Sequence, residues 1–207
     1  IEKRLKIKLP TLNKSLQMLS KWMSMILIRY IFFILILFNI SHTKAEDRNN
    51  QLNELFKELK IGNNSLSYIV EQKIWNIWST HPTDEKLTSV LEEGSRLVQD
   101  QKLFKAIDIY TDVIEIDPTW AEAWNKRATV YYMVGEFQKS QNDIDKVLEL
   151  ENRHFGALAG QGLVNIQLEN YEKAIMSYEK AQQIYPTMKS PKIMIKQIKE
   201  LIKRESI

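Results

Sequence analysis

Few residues in this chain are of types that could do acid–base, nucleophilic or metal chemistry at a shared point. The 207 residues include three histidines, His42, His81 and His154, and no cysteine. Without a thiolate there is no zinc ribbon, no disulfide framework, no thiol nucleophile and no lipid-modified N-terminal cysteine. No two histidines stand at the i, i+4 spacing of a zincin helix, so all three read as surface or junction residues. The carboxylate pairs Glu92–Glu93 and Asp143/Asp145 fall in helical sequence, where neighbours at i, i+1 and i, i+2 point apart and cannot share a proton-transfer task. Gly156-x3-Gly160-x-Gly162 has no strand before it, so it reads as a close helix contact rather than a phosphate loop. An enzyme needs convergent polar groups, and none converge here. The chain is expected to be non-catalytic, with no cofactor and no metal.

The elements that would carry a binding function are helices. With 44% hydrophobic and 27% charged residues the chain can bury one core, while six glycines and five prolines are too few turn formers for a sandwich or barrel. Its formal charge of +3 hides three regions: residues 1–45 carry net +7, residues 46–186 net −8, and residues 187–207 net +4. The long central part has the wrong sign for a phosphate backbone, which argues against nucleic acid as a partner.

The first 45 residues read as an address. Tyr30 to Ile40 is an apolar run interrupted only by Asn39, with Arg29 before it and a polar stretch ending in Ala45 after it. That is the three-part form of a secretory signal peptide, with Thr43 and Ala45 offering small-residue cleavage chemistry and Glu46 the expected mature start. Extended back to Trp22, the run contains Arg29 as its sole charge, so an uncleaved anchor through residues 22–40 is the alternative. Met18, Met23 and Met25 are candidate translation starts. Either reading exports the acidic part, to the periplasm or to the periplasmic face of the inner membrane.

A repeat organises the rest. Pro118 and Pro186 lie 68 apart, twice 34, and setting each at repeat position 32 gives units at 87–120, 121–154 and 155–188. Position 8 is then Gly94, Ala128 and Gly162, and position 20 is Ala106, Ser140 and Ala174. Position 24 is Tyr110, Ile144 and Tyr178, and position 27 is Val113, Val147 and Ala181. Small residues stay small where two antiparallel helices of a unit approach, and large ones fill the gap beside the next unit. This resembles the tetratricopeptide repeat. The middle unit matches best, with Trp124, Ala128 and Tyr131 at positions 4, 8 and 11. Departures are Glu93, Arg127 and Gln161 at position 7, Asn165 at position 11 and Asn152 at position 32. The segments Ile74–Trp78, Ala121–Asn125 and His154–Gly160 are further similar to a group of exported bacterial tetratricopeptide proteins.

The resemblance implies an all-α, right-handed α-solenoid of three helix pairs. Residues 46–86 are read as N-terminal helices capping the array, on the stripes Leu52, Leu55, Phe56, Leu59 and Leu66, Val70, Ile74, Ile77, Trp78, the second of which is expected to cap the first repeat. Residues 189–207, opening on Ser190-Pro191, are read as a C-terminal capping helix. In the family, positions 5, 9, 12 and 13 look into the concave groove. Here these are Leu91, Ser95, Val98 and Gln99; Asn125, Thr129, Tyr132 and Met133; and Ala159, Leu163, Ile166 and Gln167. Family members that clamp a chaperone's C-terminal carboxylate use groove Lys and Arg with Asn at position 6, whereas position 6 of the middle repeat is Lys126 and repeat one has no groove lysine. The expected role is therefore an envelope scaffold that holds an apolar peptide or amphipathic helix of a protein partner. The alternative is a structural subunit whose groove is filled by itself or by a second copy in a homodimer.

Overall fold

The computed structural model describes residues 9–62 and 64–205, with side chains for 18–34, 46–62 and 66–204. The chain divides into two compact units, Ile1–Asp47 and Arg48–Ile207. Nine helices are described. The first, α1 (Leu9–Lys60), begins in the first unit and contributes its last residues, from Arg48, to the second. In the first unit thirteen large apolar side chains between Met18 and Ile34 are exposed. Among the described residues no helix is long and apolar enough to cross a membrane. His42 and the expected cleavage residues Thr43 and Ala45 lie outside the described side chains.

The second unit contains three helix pairs at the expected period: α3 (Glu85–Gln99) with α4 (Leu103–Ile116), α5 (Ala121–Met133) with α6 (Phe137–Leu150), and α7 (Phe155–Gln167) with α8 (Tyr171–Ile184). Each pair turns at repeat position 15, where Gln101, Gly135 and Glu169 have φ of 60°, 79° and 58°. The next residue's N–H then reaches back to the first helix: Lys102 to Leu97 O at 2.8 Å, Glu136 to Tyr131 O at 2.9 Å, Asn170 to Asn165 O at 2.7 Å. This is the Schellman closure, repeated three times, and it satisfies carbonyls the helix end leaves open. Positions 20 and 27 are buried in every repeat. At position 8 a Cβ on Gly94 would come within 2.4 Å of the Tyr110 ring and one on Gly162 within 2.5 Å of the Tyr178 ring, so these two helices meet at van der Waals distance because glycine is there.

The array ends in α9 (Lys189–Glu205), whose Ile198 is buried beside Ala174 and Tyr178 while Ile195 and Ile202 pack half-buried around them. At the other end the last turns of α1 and all of α2 (Asn64–Ser79) form a hairpin. Arg48 fastens it by donating to Thr80 O at 2.9 Å and to Ile77 O, the open carbonyls at the C-terminal end of α2. The amphipathic stripes meet as expected: Leu52, Leu55, Phe56, Leu59, Val70, Ile74 and Trp78 share one core cluster.

That cluster reaches beyond the first repeat, which α2 is expected to cap. The hairpin touches repeat position 34 of all three units. The Trp120 indole N–H donates to Trp78 O at 2.8 Å, the His154 ring stacks on Trp78 at 4.0 Å and 9°, and Met188 packs on the same cluster. Arg153 adds a hydrogen bond to Asn53 at 2.7 Å and lies 4.4 Å over the Phe56 ring, and the Tyr185 hydroxyl donates to Glu71 at 3.1 Å. The physical reason is that each helix pair exits through a loop on the same edge of the array, and large side chains there need cover that a neighbouring repeat does not supply.

Candidate protein-binding groove

The first helices of the three pairs form one face, with two adjoining hollows. One, of about 330 Å³, lies between α3 and α5 and is lined by Ser95, Val98, Gln99, Asn125 and Thr129 with Tyr110 beneath. The other, about 80 Å³, lies between α5 and α7 and is lined by Asn125, Thr129, Tyr132 and Leu163 with Ile144 beneath. Asn125 and Thr129 belong to both, so the hollows form a single track across the middle repeat.

Seven of the expected groove residues therefore come together: Ser95, Val98, Gln99, Asn125, Thr129, Tyr132 and Leu163. Met133 and Gln167 are exposed but line neither hollow. Three expected groove residues, Leu91, Ala159 and Ile166, line neither hollow. Leu91 is only 2% exposed and sits in the core with Leu87, Tyr110 and Val113, because Leu87 four residues earlier shares its stripe and turns it toward α4. Ala159 and Ile166 are half-buried against the cluster that α9 completes. Tyr132 is also half-buried, its ring 5.5 Å from Phe137 and packed on the cluster of Ala128 and Ile144, so it serves the core as well as the track.

The structure adds groove residues the sequence did not suggest. Trp75 of α2 forms a wall of the larger hollow. A Cβ on Gly156 would stand 2.5 Å from its ring, so the glycine at the start of α7 is what admits the indole. Lys126 also lines this hollow, as its only cation, and pairs with Glu122 at 3.5 Å. Ser95 hydroxyl and Tyr110 hydroxyl are bonded at 3.2 Å, and burial pushes the Tyr110 phenol above its ordinary value. The track is thus apolar walls with neutral hydrogen-bonding groups and one cation, Lys126.

His81 and His154 are structural. His154 caps α7 by accepting from Ala157 N–H at Nδ1, which leaves Nε2 as the donor to Glu122 at 3.1 Å, both side chains fully buried. His81 repeats the arrangement, accepting from Asp84 N–H at 2.9 Å and donating to Asp117 at 2.8 Å. Burial, the largest influence on Asp117, pushes its carboxyl up, but hydrogen bonds from Thr119 and His81 outweigh it and hold the carboxyl below its usual value. Among the described residues no three His, Asp or Glu side chains are grouped to hold a metal. Glu92 and Glu93 are both exposed, whereas Asp143 is buried on Arg127 and Asp145 accepts from Gln141 and Gln161.

Comparison with known proteins agrees with the register. The tetratricopeptide repeat family model matches residues 156–188. A TPR repeat-containing protein of Rhizobium etli is 29% identical over 111 residues, 54% of each chain. Human sperm-associated antigen 1 is 26% identical over 121 residues, 58% of this chain and 13% of its own length. This chain thus spans about half or less of the curated relatives it matches. Among solved structures, the first TPR of Spaghetti (RPAP3), bound to the HSP90 peptide SRMEEVD, superposes with a TM-score of 0.56 at 22% identity, covering 57% of this chain and 94% of that one. The family model identifies residues 156–188 as a tetratricopeptide repeat, so the chain contains a tetratricopeptide repeat domain, and the period of 34, the three matching turns and the shared fold give the two preceding helix pairs the same architecture.

Proposed function

We infer that this protein is a non-catalytic adaptor that holds a segment of a protein partner along the α3–α5–α7 face. The observation that carries this reading is the continuous track through Asn125 and Thr129, walled by Trp75, Val98, Tyr132 and Leu163. Apolar walls supply burial energy, and Asn125, Gln99 and Ser95 can pair with a peptide main chain. The neighbour bound to SRMEEVD shows that a domain of this fold can hold a peptide. A carboxylate-terminated tail suits the present track poorly, since Lys126 is its single cation and already faces Glu122. We place the adaptor at the cell envelope, exported and either free in the periplasm or held at the inner membrane through residues 22–40. The exposed apolar side chains of Met18–Ile34 support that placement.

Thr129 is exposed and borders both hollows, so Thr129→Arg blocks the track without touching the core. Affinity capture from envelope extracts should lose its partner at least tenfold with this variant, with an unchanged urea midpoint. Undiminished capture overturns the groove, and recovery of a second copy alone assigns the face to self-association.

A further inference from the structure

We propose that the outer face of α9 is a docking surface for an anionic phospholipid membrane. Lys189, Lys192, Lys196, Lys199 and Lys203 recur at intervals of three and four. On a helix this spacing sets all five within an arc of about 80° along about 21 Å. All five are exposed, and the buried side of α9, Ile198 with Ile195 and Ile202, is turned to the array. One acid breaks the row: Glu200, 3.9 Å from Lys196. Ile193, 55% exposed, stands beside the row and can enter the headgroup layer.

Three features favour lipid. The residues are lysines, flexible point charges that suit scattered headgroup phosphates and do not select the planar carboxylates an arginine fork would pair. Residues 46–186 carry net −8, so an anionic surface repels the body of the solenoid and attracts α9, which restricts contact to this face. The same chain also exposes thirteen large apolar side chains between Met18 and Ile34, which a bilayer can cover.

The test separates α9 from the apolar helix by reading a difference. Partition of the full chain is measured into phosphatidylcholine vesicles and into vesicles enriched in phosphatidylglycerol, for wild type and for K192Q/K196Q/K199Q/K203Q. Any apolar insertion contributes to both vesicles, so the gain on adding anionic lipid reports the lysine face. That gain should fall at least tenfold in the glutamine variant, up to about fivefold per lysine removed. It should shrink with added salt and persist when the same four lysines are made arginine. A gain equal in wild type and glutamine variant overturns the proposal. So does polyglutamate displacing the protein from anionic vesicles at equal charge concentration, or light scattering in which the same four lysines control dimer formation. Partner capture is read on the α3–α5–α7 face and the anionic-lipid gain on α9, so failure of the adaptor reading and failure of this one are distinguishable.

Discussion

Repeat two (121–154) and the repeats flanking it reach the same helix pair by different packing. Repeats one and three pair glycine at position 8 with tyrosine at position 24, Gly94 under Tyr110 and Gly162 under Tyr178, while repeat two pairs Ala128 with Ile144. The sum of the two volumes is what the fold constrains, since the helices must meet at one distance for units to stack. Position 7 shows the same rule in polar terms. In repeat two the Arg127 guanidinium grips Asp143 with bonds of 2.8 and 2.9 Å, reaches Thr111 of the preceding repeat at 3.0 Å and lies 5.0 Å over the Trp124 ring. The hydrogen bond to Asp143 holds it above the ordinary arginine value. In repeat three Gln161 takes Arg127's place, accepting from Ser177 at 2.9 Å and donating to Asp145 of the preceding repeat at 3.2 Å. Two unlike triads thus join the same three repeat positions, 7, 23 and the previous 25. Repeat one has Glu93 there, exposed. Position 11 follows suit: Tyr131 lies under Arg127 and Lys139, whereas Asn165 donates to Gln141 and to Gln161 O.

The largest break in this comparison should come at Arg127. Arg127→Leu leaves Asp143, whose side chain is 6% exposed, as a buried carboxylate without its cation, and should cost about 3–5 kcal/mol in urea unfolding. Adding Asp143→Leu should recover most of it. A single variant as stable as wild type would show the triad to be energetically idle. Gln161→Leu, which removes a neutral partner, should cost about 1–3 kcal/mol.

The next effect is steric. Gly94→Ala should lose about 1–3 kcal/mol through collision with the Tyr110 ring. Supplying the repeat-two solution, Gly94→Ala with Tyr110→Ile, should recover part of that loss. A double-mutant cycle reads the coupling, and additive losses would sink the volume rule.

The smallest effect concerns the turns, and its sign is opposite. Gln101 and Glu169 hold the left-handed conformation that Gly135 adopts without cost. Gln101→Gly and Glu169→Gly should each raise stability by about 0.5–1 kcal/mol, and Gly135→Ala should lower it by a similar amount. Melting curves that move the other way would mean these side chains supply more than the strain removes.

The helix pairs and their register follow from the sequence alone because each is written locally. A period of 3.6 shows which face of a helix is apolar, and a period of 34 shows which positions must stay small, so Ala106, Ser140 and Ala174 are identifiable as buried before any coordinates. Most of the track was legible for the same reason, since Asn125 and Thr129 inherit their place from the register. The stripes of Leu52–Leu59 and Val70–Trp78 likewise announce that those helices bury a face. They do not announce against what. A stripe specifies that apolar area must leave water, and many partners satisfy that equally. Tertiary structure chose the loop edge of all three repeats, through contacts as distant in sequence as Arg153 with Asn53. That choice brought Trp75 into the track and put His154 against Trp78. A hint was present in Trp120, His154 and Met188, large residues at position 34 where an exposed loop would be polar. Their shared cover could be named only once the chain had folded back, because the free energy of that contact belongs to the pair of surfaces and to neither stretch of sequence alone.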